Sequence, residues 1–466
     1  MFLSTRGQTS PLSFCDAFAA GLADDGGLFV PESLPSLPPS LLDTFLPYPD
    51  LAFEFFSLFD SDHSTEQLKA LITRSHDNFE NPKNAAPLRQ LDEHTSLLEL
   101  FHGPTLAFKD FGLQIVGNLF EDQIARTGQP INVLGATSGD TGSAAIHGLA
   151  NKKGVNVFIL YPNGRVSKLQ ERQMTCTGAS NIFPISIEGS FDDAQRIVKE
   201  LFNDLEFKAQ AGLSAINSIN IARILAQSVY YIHAYYQLPA ASRAKAASES
   251  NGSFGFCVPT GNFGNIFAGW LASKMGLPVD HFIIATNQND ILCRLFNTGQ
   301  YQPSDVHPSL APSMDIQVAS NFERFLYYML HEDSAQVATR MQTLKAQGNL
   351  TIPEFNADTF QATRASDEEI FTLIKKVHDQ YGIVVDPHTA CGFQSTFETD
   401  TNSKPHGHTV ILATAHPAKF PDTIERALGK KVTHPSLEAL KEKSPVRYAV
   451  TPSPAAIKDF IQANQA

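Results

Sequence analysis

Tryptophan occurs once in this chain of 466 residues and cysteine five times. No uninterrupted apolar run reaches the ~18 residues that a membrane-spanning helix needs. The cysteines (Cys15, Cys176, Cys257, Cys293 and Cys391) are odd in number, far apart and never arranged as Cys-x-x-Cys. Such spacing offers neither a disulfide framework nor a zinc site, so no metal is expected, and a reducing compartment is. Basic residues are scarce too: 35 Lys and Arg face 48 Asp and Glu, a formal net charge of -13. A nucleic acid or an anionic membrane would need a basic face, so neither is an expected partner. Any anionic ligand must instead be held by local cations and backbone amides. The opening residues Met1 to Gln8 lack the charged, apolar and cleavable regions of a secretory signal, which predicts a cytoplasmic location.

Apolar matter is plentiful: 42% of the residues are hydrophobic, 34 of them phenylalanine. The length predicts two or three domains. Residues 1–95, with prolines clustered between 31 and 48, read as an N-terminal domain. Beyond them β-rich runs alternate with helical patterns. Strands are expected at Ile131 to Gly135, Val155 to Tyr161, Ile182 to Ile187, Phe254 to Val258, Phe282 to Thr286 and Thr409 to Ala413. Ser190 followed three residues later by Asp193 reads as a capping box opening a helix over Asp192 to Phe202. This alternation implies an α/β fold with parallel sheets covered by helices. A small α/β domain is read at 129–215. A large one is read at 96–128 and 216–466, with a helical insertion at about 300–375. The Ala/Ser-rich stretch Leu238 to Gly252 reads as a surface loop.

The segment Phe-His-Gly-Pro-Thr-Leu-Ala-Phe-Lys-Asp-Phe at 101–111 places one lysine, Lys109, in an apolar frame at an expected helix start. A lysine here either snorkels to water or is buried. If buried among Leu106, Phe108 and Phe111 at the positive end of a helix dipole, its amine is driven towards the neutral form. A neutral lysine amine is what carbonyl chemistry requires.

In open parallel sheets ligands sit at the carboxyl ends of strands, and three unusual loops fall there. Pro259-Thr-Gly-Asn-Phe-Gly-Asn265 joins a strand to a helix. It is neither a Walker loop nor a Gly-x-Gly-x-x-Gly fingerprint, yet its glycines and the helix terminus suit a phosphate. Gly135-Ala-Thr-Ser-Gly-Asp-Thr-Gly142 offers the Thr137, Ser138 and Thr141 hydroxyls and exposed amides, which suit a carboxylate. Thr414 to Phe420 puts the neutral hydroxyl of Thr414 at a strand tip, with His416 either functional or structural. A fourth stretch, Tyr161 to Gln170, carries Arg165 and Lys168, rare local cations or a solvated pair. An amine for imine formation, a phosphate cradle and a carboxylate loop are together the parts needed by pyridoxal phosphate acting on an amino acid.

These motifs resemble the threonine synthases, pyridoxal-phosphate enzymes of fold type II, along nearly the whole chain. The similarity includes Ser4 to Gly7, Gly21 to Pro31, Leu100 to Asp110, Gly135 to Gly142 and Asn217 to Gln227. It continues through Pro259 to Asn265, Pro312 to Gln317, Asp386 to Ala390 and Thr414 to Phe420. It points to the longer bacterial and fungal branch: two parallel or mixed-sheet α/β domains plus an N-terminal domain and a helical insertion. The resemblance implies conversion of O-phospho-L-homoserine and water into L-threonine and phosphate by a monomer or homodimer. Lys109 matches the Schiff-base lysine and would also move protons. Gly261, Asn262, Phe263, Gly264 and Asn265 match the cofactor-phosphate loop, and Thr414 matches the residue facing the pyridine nitrogen. Asp140 stands where many fold relatives carry Asn beside the phenolate oxygen. Thr137, Ser138, Gly139 and Thr141 match the substrate-carboxylate loop, with Arg165, Ser167, Asn217 and Asn220 as candidates for the substrate phosphate. The same motifs are compatible with a phospholyase releasing 2-oxobutyrate, and in principle with a non-catalytic binding protein on the same scaffold.

Overall fold

The computed structural model describes residues 1–137, 139–248, 254–352, 359–397 and 407–465. Strands β1 (Phe2–Ser4) and β2 (Phe29–Pro31) pair antiparallel near the N-terminus. β3 (Leu88–Gln90) and β4 (Thr95–Glu99) follow, then β5 (Ile131–Ala136), β6 (Val155–Pro162), β7 (Ile182–Ile187) and β8 (Leu213–Ala215). After them come β9 (Phe254–Pro259), β10 (His281–Thr286), the pair β11 (Gln300–Tyr301) and β12 (Leu350–Thr351), β13 (Phe360–Arg364), β14 (His408–Ala413) and β15 (Tyr448–Ala449). The larger sheet runs β13-β10-β9-β14-β4-β3 and the smaller β15-β7-β6-β5-β8. All pairings in both are parallel except β3 with β4. The six strands read from the sequence all form, within a residue at each end. β6 is buried at every position, as a strand covered on both faces must be.

Three expectations need correction. Leu238 to Gly252 is not a loop where it is described: Ala240–Ser248 is helical, because alanine favours helix more strongly than serine disfavours it. The stretch 300–375 is largely helical but also holds β13, which pairs with β10 as the outer strand of the larger sheet. β13 alternates only Phe360 and Ala362 with polar residues, so its hydrophobic signal is weak. Nor do residues 216–466 all belong with the larger sheet. β15 extends the smaller sheet, and the C-terminal helix Pro454–Asn464 buries Ile457 and Ile461 in that sheet's core. Tyr448 and Ala449 are too short a run to read as a strand without their partner.

Helices α1 (Phe14–Ala20), α2 (Tyr48–Phe56) and α3 (Thr65–His76) lie in the N-terminal region. They precede α4 (Lys109–Thr127), whose first twelve residues are all buried. His63 ties that region to α4, its Nδ1 bonding Asp60 at 2.6 Å and its Nε2 bonding Asp122 at 2.9 Å. α5 (Asp140–Leu149) crosses α4 at backbone contact. A Cβ on Gly117 would lie 1.9 Å from the carbonyl oxygen of Gly148, and one on Gly148 would lie 2.3 Å from that of Leu113. Only glycine fits either position, and this crossing fixes where α4 and α5 begin relative to each other. Further along run α6 (Lys168–Thr175), α7 (Phe191–Asn203), α8 (Ile221–Gln237) and α9 (Ala240–Ser248). α7 opens on the expected capping box of Ser190 and Asp193.

Because the obstacle at the crossing is backbone rather than a flexible side chain, Gly117→Ala must push the helices apart. We expect a loss of about 1–3 kcal/mol, read by denaturant titration. Gly128→Ala, at an open helix cap, should cost about 1 kcal/mol and only through its left-handed backbone.

Candidate active site

Lys109 is the first residue of α4, as its flanking sequence suggests. The residues leading into it run beside the tip of β14. Ala107 bridges Ala415, the Phe108 N–H donates to the Thr414 carbonyl at 2.9 Å, and the His416 N–H donates to that of Leu106 at 3.0 Å. Leu106 adopts φ 60°, a left-handed conformation costly for a leucine. Asp110 holds that turn: its carboxylate accepts the Thr105 N–H at 2.9 Å and the Thr105 hydroxyl at 2.7 Å. Burial raises Asp110 to about 6 even so. Lys109 itself is 8% exposed, so it does not snorkel. Burial brings its amine down to about 8; Asp140 opposes the shift, while Lys419 and Arg223 add to it.

Asp140, the first residue of α5, faces that amine. Its Oδ2 lies 3.9 Å from Lys109 Nζ and accepts the Ser313 hydroxyl at 3.0 Å. Its Oδ1 accepts Lys419 Nζ and Gln170 Nε2, both at 2.9 Å. Burial alone would raise this carboxyl, but the Lys419 and Lys109 ammonium groups hold it far below the carboxylate range. The Lys419 side chain is wholly buried and also donates to the Thr105 carbonyl at 2.7 Å, so one amine braces both Asp140 and the turn before Lys109. Asp140 is linked onward to Thr414. The Ser313 N–H donates to His388 Nε2 at 3.0 Å, which leaves the ring proton on Nδ1 to donate to Asp386 at 2.7 Å. Asp386 in turn accepts the Thr389 hydroxyl, whose oxygen takes the Thr414 N–H at 3.2 Å.

The loop before α10 (Gly264–Lys274) has the shape of an anion cradle. Phe263 is left-handed at φ 65°, and its ring packs 5.5 Å from Phe325 and 5.7 Å from Phe296. A Cβ on Gly261 would meet the Ser313 carbonyl at 3.0 Å, and one on Gly264 would meet Asn321 Nδ2 at 3.0 Å. Asn262 is fixed through its carbonyl, which accepts the Asn321 N–H at 3.0 Å. Asn265 is pinned by the Tyr231 hydroxyl, 2.9 Å from both its carbonyl and Oδ1, while its buried Nδ2 has no partner among the described residues. The first-turn amides of α10 cannot bond within the helix and remain available to an anion.

Other residues singled out from sequence have specific structural places. Thr137 Oγ1 accepts the N–H groups of Gly139 and Gly142 at 3.0 and 2.9 Å, so its hydroxyl shapes the loop. Gly139, at φ 153°, packs on Gln170. Thr141 is partly exposed in the first turn of α5, and Ser138 lies outside the described residues. Thr414 is buried, and its hydroxyl has no protein partner among the described residues. Asn220 caps α8, accepting the Ala222 N–H at 3.0 Å, and its Nδ2 donates to the Phe18 carbonyl at 2.9 Å. Asn217 Oδ1 accepts the Ile219 N–H at 3.1 Å. Arg165 and Ser167 are exposed; Ser167 caps α6, and Arg165 acts electrostatically on Asp193 at the start of α7. Sequence alone does not single out Lys419, Ser313, His388, Gln170 or Arg223, although all five stand inside segments that carry the resemblance or form the cation-bearing loop. A lysine or arginine in an otherwise apolar segment was the signal.

Comparison with known proteins was made against this geometry. Residues 1–76 match the family described as threonine synthase N terminus, residues 87–351 that of pyridoxal-phosphate dependent enzymes, and residues 389–461 that of threonine synthase, C-terminal. A threonine synthase of Pseudomonas aeruginosa is 45% identical, covering 91% of this chain and 90% of its own. One of Schizosaccharomyces pombe is 42% identical, covering 92% and 89%. The crystal structure of PLP-bound threonine synthase from Brucella melitensis matches at a TM-score of 0.90 and 39% identity, over 100% of this chain and 99% of that one. Maize serine racemase, at 14% identity and a TM-score of 0.52, shares the fold alone.

Substitutions at Asp140 and Lys419 should move the Lys109 amine in opposite directions. Lys419→Met removes a cation that depresses it, so the amine should titrate above about 8. Asp140→Asn removes an anion that raises it, so titration should fall below about 8, and the stranded Lys419 should cost about 3 kcal/mol of stability. The check is the pH dependence of borohydride-trapped aldehyde labelling at Lys109, read by peptide mass spectrometry, beside a denaturation curve. Shifts of the same sign in both variants would contradict the assignment.

Proposed function

The chain belongs to the threonine synthase family, and from that premise we propose that Lys109 and the loops around it convert O-phospho-L-homoserine and water into L-threonine and phosphate. The observation that carries the assignment of residues is a buried amine, titrating at about 8, between the tip of β14 and the carboxylate of Asp140.

Pyridoxal phosphate is the cofactor, and the residues present fit it. Lys109 supplies the amine for its aldehyde. The loop Gly261 to Asn265, with the first-turn amides of α10 and the unpartnered Asn265 Nδ2, would hold its phosphate. Thr414 would meet the pyridine nitrogen with an uncharged hydroxyl, and Asp140 would lie by the phenolate oxygen. When bound, the cofactor supplies an electron sink for a carbanion next to the amino group.

The remaining work falls to side chains. Burial and two neighbouring cations bring the Lys109 amine down to about 8, so near and above that pH it is available in its neutral form to accept the Cα proton. Relieved of that proton to solvent, the same amine would take a Cβ proton as phosphate leaves from Cγ and return it to Cγ, which becomes the methyl group; water then adds as hydroxyl at Cβ and proton at Cα. Gly139, Thr141 and Ser138 at the start of α5 would hold the substrate carboxylate through a helix terminus, on the loop frame that Thr137 braces. Asn217 would lie towards the substrate phosphate, with the exposed Arg165 and Ser167 as further candidates. We read the protein as a cytoplasmic monomer or homodimer. Five buried free thiols support a reducing compartment, and no helix among the described residues is long and apolar enough to cross a membrane.

Assay of the purified enzyme with O-phosphohomoserine should yield threonine and phosphate in equal amounts; mostly 2-oxobutyrate would make it a phospholyase instead. Lys109→Ala should abolish the visible absorption of the lysine-bound cofactor and lower turnover by about 1,000-fold or more. Capture of pyridoxal phosphate by cofactor-free enzyme should accelerate as pH rises through about 8 and level off above, because only the neutral amine attacks.

A further inference from the structure

Two arginines near the site are fully buried, and the fold treats them differently. Arg324 is saturated: Nε donates to the Phe29 carbonyl at 2.9 Å, Nη2 to that of Ile219 at 2.6 Å, and Nη1 to Asn321 Oδ1. Arg223, in the first turn of α8, is 3% exposed and makes one hydrogen bond among the described residues, from Nη1 to the Asn217 carbonyl at 2.7 Å. Its Nε is buried with no acceptor, and no carboxylate among the described residues lies within ion-pair distance. A guanidinium carries five N–H donors, so most of this one's capacity is unspent. Taking a cation out of water without an anion is costly, and burial alone pulls Arg223 down to about 10. Folded proteins retain such a group when something else completes it.

Its position shows what is missing. A Cβ on Gly112, one turn beyond Lys109 in α4, would sit 3.2 Å from Arg223 Cγ, so the arginine stem lies against the helix that presents the amine. The Arg223 charge is near enough to act on the Lys109 amine itself. The cofactor's phosphate already has a cradle in the α10 amides, whereas Arg165 stands exposed and Asn220 is engaged at both ends of its amide. Among the described residues no other buried cation beside Lys109 lacks an anion, because Lys419 has Asp140.

We propose that Arg223 binds the phosphate monoester of the substrate, taking its oxygens in the charge-assisted geometry that a guanidinium favours, and so sets the enzyme's preference for a phosphorylated amino acid over its alcohol. Asn217 is a positioning residue: its carbonyl fixes Nη1 and leaves the other donors to the anion. The inference rests on the reading that the substrate is O-phosphohomoserine, but phosphate recognition is measurable without turnover.

The test uses holoenzyme, with inorganic phosphate as probe. Phosphate should raise the melting temperature of the wild type and inhibit it competitively. In Arg223→Met both effects should fade, with the inhibition constant and KM rising by roughly tenfold to a hundredfold, the scale of one or two hydrogen bonds to a charged group. The variant should keep its cofactor and, without phosphate, melt no lower than the wild type, since a buried unpaired charge has been removed. Arg223→Lys should restore part of the phosphate effect. If phosphate stabilises Arg223→Met as much as the wild type, the proposal is wrong. Loss of cofactor at unchanged phosphate affinity would assign the arginine to the cofactor's phosphate and also overturn it. Failure of the synthase reading would appear separately, as an absence of threonine with the phosphate response intact.

Discussion

The carboxylate of Asp140 is shared by two lysines, Lys419 at 2.9 Å and Lys109 at 3.9 Å, in a region closed to water. A buried ion pair is stable only when its remaining lone pairs are satisfied, because desolvation otherwise outweighs the attraction. Gln170 and Ser313 satisfy them, and Lys419 spends a second donor on the Thr105 carbonyl. The pair therefore draws together α5, α6, the segment after β14 and the turn before α4. With one anion serving two cations, Lys419 takes the short contact and Lys109 the long one. The amine proposed to react is left the less strongly stabilised as an ammonium.

That asymmetry is useful only if the parts hold still. The α4–α5 crossing admits no side chain at Gly117 or Gly148, so the start of α5, and with it Asp140, is set by backbone contact with the helix that begins at Lys109. Arg324 performs a similar task further out, joining β2, the approach to α8 and Asn321 beneath the α10 loop. The relay from Ser313 through His388, Asp386 and Thr389 to Thr414 ties the two ends of the site by neutral and charge-assisted hydrogen bonds. A site built from so many segments depends on their mutual order more than on any single bond.

Much of this was legible beforehand at the level of elements. Period-2 apolar runs gave six strands nearly to the residue, and the Ser190–Asp193 pair gave the start of α7. Glycine and hydroxyl clusters after strands marked both candidate anion loops. What escaped has a common cause. β13 and β15 are polar or short and become strands only against β10 and β7. Thr137 looked like a substrate ligand because a hydroxyl's partner cannot be known from its neighbours; the fold spends it on Gly139 and Gly142. Asn220 is likewise engaged within the fold, by the Ala222 N–H and the Phe18 carbonyl.

The sequence by itself determined the chemistry at hand: one lysine in an apolar frame at a helix start, glycine loops after strands, and too few basic residues for a polyanionic partner. These depend on residue type and on spacing within a few positions, which local backbone geometry converts directly into structure. Tertiary structure alone decided which charges compensate one another. Lys419 meets Asp140, and Arg223 meets no carboxylate among the described residues, although the sequence presents both as basic residues in mainly apolar surroundings. Electrostatic pairing in a buried site acts through space over a few ångströms, and only the folded chain sets those distances.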